Sequence, residues 1–265
     1  MIRSIEQDRL NSPPFPQNGK RSCRPGMPLV GVAMLLCAIV SGHGGANAEP
    51  SAGALVGRVL YRGPSIPDRL IPVTRDIEQC GTTATIPLVS TQPHTGGLEG
   101  AVVGIDGPVS PVTDPPALPL VIENRRCAFS PAVSIGYVGQ SLELRNDDPV
   151  MHNTHLKKDG RTFLNVALVP NGKPVRKRFA QPGVYTVACD AHKFMTGHAL
   201  VFSHPYASIT DATGGFRIPH LPPGTYTVSI WHSTLGTLRR AIEIPQRGDA
   251  TLTVEYPAES EAHGK

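Results

Sequence analysis

The chain is poor in several things that would point to other kinds of protein. Of its 265 residues only 5% are aromatic and five are cysteine. No long stretch repeats apolar residues at the 3.6-residue helical period, which argues against a helical fold. The longest apolar run, MPLVGVAMLLCAIV at residues 27–40, falls short of the roughly 20 residues a membrane-spanning helix needs. Charge is scarce too. Residues 1–48 hold five basic and two acidic residues, so without them the formal net charge falls from +4 to +1. A near-neutral chain offers no electrostatic footprint for nucleic acid.

What is present at the start reads as an export signal. Arg3, Arg9, Lys20, Arg21 and Arg24 lead into the apolar run, and GGANAEP follows it. Ala46, Asn47 and Ala48 form an A-x-A cleavage site before Glu49. This predicts a signal peptide over 1–48, a periplasmic or otherwise exported mature chain, and no stable membrane span after cleavage. A retained anchor is the alternative, and Met27 is an alternative start. The bulky Leu36 before Cys37 argues against a lipid anchor. Cys23 and Cys37 leave with the signal, so Cys80, Cys127 and Cys189 remain. Three cysteines in an exported protein suggest one pair and one thiol with a separate task.

Proline and glycine are abundant, at 27 each, and they bound short alternating runs: ALVGRVLY, SLELRN, GVYTVAC, GTYTVSIW, TLTVEY. That pattern predicts an all-β chain. The residues after Tyr256 are polar, and 257–265 reads as a flexible tail. TDATGGFRI places Gly214 and Gly215 in a turn before a strand. LPPGTYTVSI is a Pro-Gly turn feeding a strand with Tyr226, Val228 and Ile230 on one face. These elements, D-x-x-G-x-F and L-P-P-G-x-Y-x-V, resemble the prealbumin-like module called a carboxypeptidase regulatory-like domain. Residues 205–256 are too few for its full sandwich. GALVGRVLYRG (53–63) and LEGAVVGIDG (98–107) resemble its opening strands, so the module is expected to be discontinuous, 53–118 plus 205–256.

Residues 119–202 fill the gap. CAFSPAVSIGYVGQSLELRNDDPVMHNTH reads as strand, turn, strand and a loop from Asn146. FAQPGVYTVACDAHKFMTGHALVF reads as turn, strand, loop, strand. A histidine after an Asn-bearing strand end, with Cys, His and Met at three-residue steps between the last two strands, resembles a cupredoxin. This is the blue-copper fold of plastocyanin and amicyanin. The resemblance implies a Greek-key sandwich, inserted into or packed on the second one, holding one copper ion that cycles between Cu(I) and Cu(II). His152, Cys189 and His192 would supply two imidazoles and a thiolate in a near-trigonal set, with Met195 as a weak axial thioether. Asn153 would brace the ligand loop or bond the thiolate.

Taken singly, Cys189 also reads as a buried small hydrophobe and Met195 as core filler. One cysteine and two histidines also suit zinc, and a Cys–His pair suits a nucleophile and its base. His155 and His198 are alternative ligands or loop histidines, and His232 is expected to pack between sandwiches. Lys173, Arg176, Lys177 and Arg178 read as a solvated strand edge or as a dock for an acidic redox partner. Asp147, Asp148 and Asp190 read as turn or capping residues. Cys80 and Cys127 are the expected disulfide. The functional expectation is a non-enzymatic carrier of single electrons between redox partners. Copper buffering or delivery, and a metal-free interaction module, are the alternatives. His192, between Ala191 and Phe194, is expected to form the exposed edge for electron exchange.

Overall fold

The structure is a computed structural model that describes residues 52–107 and 109–257. The expected signal peptide and nearly all of the expected tail lie outside the described residues. The chain opens with β1 (Gly53–Tyr61), β2 (Arg69–Pro72), the single-turn α1 (Ile77–Cys80), β3 (Thr83–Ile86) and β4 (Val102–Asp106). There follow β5 (Leu120–Arg125), β6 (Ala128–Ser130), β7 (Val133–Tyr137), β8 (Ser141–Asn146), β9 (His152–Lys158), β10 (Arg161–Leu168), β11 (Val175–Arg178), β12 (Gly183–Ala188) and β13 (Thr196–Phe202). The last five are β14 (Ala207–Ile209), β15 (Gly215–Leu221), β16 (Gly224–His232), β17 (Gly236–Ile244) and β18 (Ala250–Tyr256). The fold is all-β, and no helix among the described residues is long and apolar enough to cross a membrane.

Two sandwiches account for most strands. The first faces the sheet β15-β1-β18 with the sheet β14-β4-β16-β17. Their inward side chains, among them Leu55, Val59, Val103, Ile105, Ile218, Val228 and Ile230, form one core. The second faces β10-β9-β12-β13-β7 with β11-β8-β5-β6 around Ile122, Phe129, Leu142, Leu144, Leu156, Phe179, Tyr185 and Val187. The alternation read from the sequence produces these cores directly. In β12 the residues Tyr185 and Val187 are buried while Val184 and Thr186 face out, as the two-residue strand period requires.

The chain enters the second sandwich after β4 and returns to the first at β14. β1 lies between β15 and β18, parallel to the latter, and β4 lies between β14 and β16. One turn in the first sandwich depends on glycine. Gly214 has φ +77°, and a Cβ there would lie 2.3 Å from the Val59 carbonyl oxygen, so a side chain cannot be placed without displacing backbone. Asp211 holds the same turn by accepting from the N–H groups of Thr213 and Gly215 at 2.8 and 3.0 Å.

The sandwiches touch through β13. A Cβ on Gly104 of β4 would meet the Phe202 ring at 2.5 Å, so this glycine lets the ring lie against bare backbone. Beside it His198 packs edge-on against Trp231 of β16, ring centroids 5.0 Å apart.

The sequence pattern places residues 69–86 with the first sandwich, but their side chains pack elsewhere. β2 and β3 form a separate two-stranded ribbon. Val73, Ile71, Ala84 and Ile86 join the core of the second sandwich. The physical reason is a covalent one: Cys80 is bonded to Cys127, with Cα atoms 5.6 Å apart.

Candidate metal centre

The site forms where two loops meet at one end of the second sandwich. His152 is the first residue of β9, after the loop from Asn146. Asn146 shapes that loop: its Nδ2 donates to the carbonyls of Val150 and Leu168, both at 2.9 Å, and its Oδ1 accepts from the Asp148 N–H at 3.1 Å. The second loop joins β12 to β13 and carries Cys189, His192 and Met195. It closes on itself, with the Met195 N–H donating to the His192 carbonyl at 2.9 Å and the Cys189 N–H to the Met195 carbonyl at 3.3 Å. β9 and β12 are neighbours, and His155 pairs with Ala188. That register brings the two loops together.

The candidate ligand atoms converge. Nδ1 of His152 lies 3.0 Å from Nδ1 of His192, which lies 3.6 Å from the Cys189 sulfur. The donor atoms of all three residues fall within 4.8 Å of one another. His152, Cys189, His192 and Met195 are each no more than 2% exposed, and Cys189 and Met195 belong to the same apolar core. A second grouping, Cys127, Asp148 and His152, has its sulfur committed to the disulfide.

Two carboxylates set the imidazole orientations. Nε2 of His152 is 2.9 Å from Asp148 Oδ2, and Nε2 of His192 is 2.8 Å from Asp76 Oδ2. An ionised carboxylate can only accept, so each Nε2 carries a proton, and in a neutral imidazole Nδ1 then turns its lone pair toward the shared centre. Burial pushes the His152 imidazole below its ordinary range, opposed by the hydrogen bond to Asp148. Asp148 does a second job. It accepts from the N–H groups of Arg126 and Cys127 at 2.6 and 2.8 Å. Those two residues form the β5–β6 turn with φ of 54° and 55°, a left-handed conformation that side chains other than glycine resist. Asp148 thus offsets the turn's strain and orients His152 at once.

Asn153 braces the cysteine loop. Its Oδ1 accepts from the N–H groups of Asp190 and Ala191 at 2.6 and 3.3 Å, and from the Cys189 thiol at 3.4 Å. Two backbone donors fix that oxygen toward the sulfur, so Asn153 presents an acceptor there and cannot donate to a thiolate. Its Nδ2 reaches Asp190 at 2.9 Å and Asn165 at 2.8 Å. Hydrogen bonds from Asn153, Asn165 and His155 hold the Asp190 carboxyl below the usual carboxylate range.

The other singled-out residues lie apart from the cluster. His155 bonds Asp190 at 3.1 Å through Nδ1 and Thr162 at 2.8 Å through Nε2, so both ring nitrogens are engaged. His198 faces Trp231 across the sandwich interface. His232 is buried in the first sandwich, its Nδ1 accepting from the N–H groups of Thr234 and Leu235. Along β11, Arg176 pairs with buried Glu143, Lys177 lies over the Phe163 ring and Arg178 donates to the Gly139 carbonyl. Each of these charges has a local partner on the strand edge.

His192 does not form an exposed edge: its side chain is 0% exposed, covered by Asp76, which is 33% exposed. The sequence reading missed both carboxylates. Asp148 stands four residues before His152, where a loop aspartate reads as a turn former. Asp76 is 116 residues from His192, and the only available signal was its nearness to Cys80.

No protein-family model matches the chain, and no curated protein matches it. Among solved structures it is similar in part to a copper-containing nitrite reductase from Thermus scotoductus SA-01, at 24% identity and TM-score 0.31, over 36% of this chain and 27% of that one. The chain therefore spans about a quarter of the reductase's length. It is also similar to a purple cupredoxin from Nitrosopumilus maritimus, at 25% identity and TM-score 0.28, over 31% of this chain and 99% of that one. A third is amicyanin from Paracoccus versutus, at 22% identity and TM-score 0.29, over 38% and 97%.

Proposed function

We propose that this chain is an exported cupredoxin-type protein that binds one copper ion and carries single electrons between redox partners. His152, Cys189 and His192 would hold the metal, with Met195 as a weak axial ligand. The observation that carries this reading is the convergence of two Nδ1 lone pairs and one thiol sulfur in a buried site, with both Nε2 atoms tied to carboxylates. Two imidazoles, a thiolate and a thioether suit copper, while a closed structural zinc site takes four nitrogen, sulfur or oxygen donors. Copper bound there supplies a one-electron couple.

The chain's own residues supply rigidity. Asp148 and Asp76 keep the two rings from rotating, Asn153 pins the cysteine loop, and the strand ends fix the spacing between loops. A site held from three sides favours retention of metal over its release, which supports electron transfer above buffering or delivery. His155, His198 and His232 are each engaged in other contacts, which favours a carrier over a two-copper enzyme. The same reading makes 119–202 a cupredoxin unit set into a discontinuous prealbumin-like host, supported by the pairing of β1 and β4 with strands of 205–256. Export is supported by the Cys80–Cys127 disulfide, a bond suited to oxidising compartments.

The test is copper retention through redox cycling. The loaded mature chain, reduced in the presence of a Cu(I) chelator of moderate affinity, should keep its metal over many cycles. Rapid loss on reduction would assign the protein to copper delivery.

A further inference from the structure

Asp76 reaches the cluster from outside the strands and loops that carry the ligands. It occupies the N-cap position of α1 in a left-handed conformation, φ 54° and ψ 41°, and makes no side-chain capping bond. A cap carboxylate ordinarily accepts from its own helix. Here it turns to Nε2 of His192 at 2.8 Å, and it lies between the buried ring and solvent. Cys80, four residues on, is bonded to Cys127. The N–H of Cys127 in turn bonds Asp148, the partner of His152. The disulfide and one backbone hydrogen bond thus link the segments that carry the two carboxylates.

We propose that Asp76 is a positioning residue for the copper site. This rests on reading the cluster as that site. Asp76 fixes the Nε2–H tautomer of His192, aims Nδ1 into the cluster and seals the ring from water. Its negative charge, close to the metal and partly shielded from solvent, favours the more highly charged metal state. It therefore lowers the reduction potential.

Two variants of the mature chain separate these roles. Asp76→Asn tolerates the left-handed backbone and keeps an oxygen to accept from Nε2–H, but removes the charge. Asp76→Gly keeps the backbone and removes both. The first measurement uses metal-free protein: nitrogen-15 NMR of the imidazoles at pH 8. His192 should carry its proton on Nε2 in the wild type and in Asp76→Asn, whether or not a proton also bridges the two Nδ1 atoms. Asp76→Gly should lose the single tautomer. An unprotonated, pyridine-like Nε2 in the wild type overturns the proposal, and does so without reference to copper. The second measurement is voltammetry of the loaded proteins. Both variants should shift to higher potential, with the wild-type absorption envelope retained in Asp76→Asn and altered in Asp76→Gly. Equal potentials in all three proteins also overturn it. Failure of the wild type to give a thiolate-to-copper absorption band would remove the copper reading itself, a result distinct from either.

Discussion

Nδ1 of His152 and Nδ1 of His192 lie 3.0 Å apart, with ring planes tilted by 59°. With both Nε2 atoms donating to carboxylates, two neutral rings face each other with lone pairs, which repel unless a proton or a metal cation stands between them. The folded chain should therefore be stabilised by a metal ion. A ligand that binds only the native state adds about 4 kcal/mol at a free concentration 1,000 times its dissociation constant. Thermal unfolding with and without Cu(II) should show that rise in the wild type. His152→Ala should lose most of it, and an equal rise in the variant would place the metal elsewhere.

Asn153 accepts from two backbone N–H groups and the Cys189 thiol with one oxygen. Asn153→Ala leaves those donors to water or to nothing. At about 1 kcal/mol net for each hydrogen bond, the variant should lose about 2–3 kcal/mol of stability in urea unfolding. The loaded variant should also release copper faster than the wild type. Wild-type release would mean that the cysteine loop holds its shape without this brace.

The disulfide fastens residues 69–86 over the second sandwich. Its ends are 47 residues apart, which in the chain-entropy account amounts to about 4 kcal/mol. Replacing Cys80 and Cys127 together by Ala should lower stability by up to that amount. It should also raise hydrogen exchange selectively in β2, α1 and β3 while β9 and β12 stay protected. Uniform loss of protection would show that the ribbon is part of the main cooperative unit.

His232 makes stability depend on pH away from the candidate metal centre. Burial, reinforced by the charge of His198, pushes its imidazole down to about 4, and its Nδ1 accepts two backbone N–H groups. A depressed histidine favours the folded state fully above the unfolded value near 6.5. The unfolded chain binds the extra proton, so stability falls as pH drops from about 6.5 to about 4. The loss is on the order of 3 kcal/mol. His232→Asn, which keeps an acceptor for the turn, should flatten that slope in metal-free protein. An unchanged slope would assign the pH dependence to other groups.

Much of this arrangement was legible in the sequence because it is local. The alternation in GVYTVAC places Tyr185 and Val187 inside, and the three-residue steps of Cys189, His192 and Met195 mark one loop. Cys80 and Cys127 stand as a possible pair only once the cupredoxin resemblance gives Cys189 to the ligand loop, and the bond between them is found in the structure. What was illegible depends on long-range placement. Nothing near Asp76 shows that it will face His192, because that contact is made by a ribbon whose position the disulfide and its packing decide. The expectation of an exposed His192 failed for the same reason: it treated the loop as the outermost layer, and residues 69–86 lie over it. Asp148 was in plain view beside His152, but a loop aspartate before a strand reads as a turn former until its partners are known.

On the proposed reading Cys189 is a copper ligand in a trigonal thiolate site. Absorption spectroscopy of the purified mature chain on addition of one equivalent of Cu(II) tests it most directly. An intense thiolate-to-copper band in the red is expected, giving a blue or green protein. The band should disappear in Cys189→Ser and move but persist in Met195→Ala. A colourless Cu(II) adduct of the wild-type chain, or a band that survives Cys189→Ser, would contradict it.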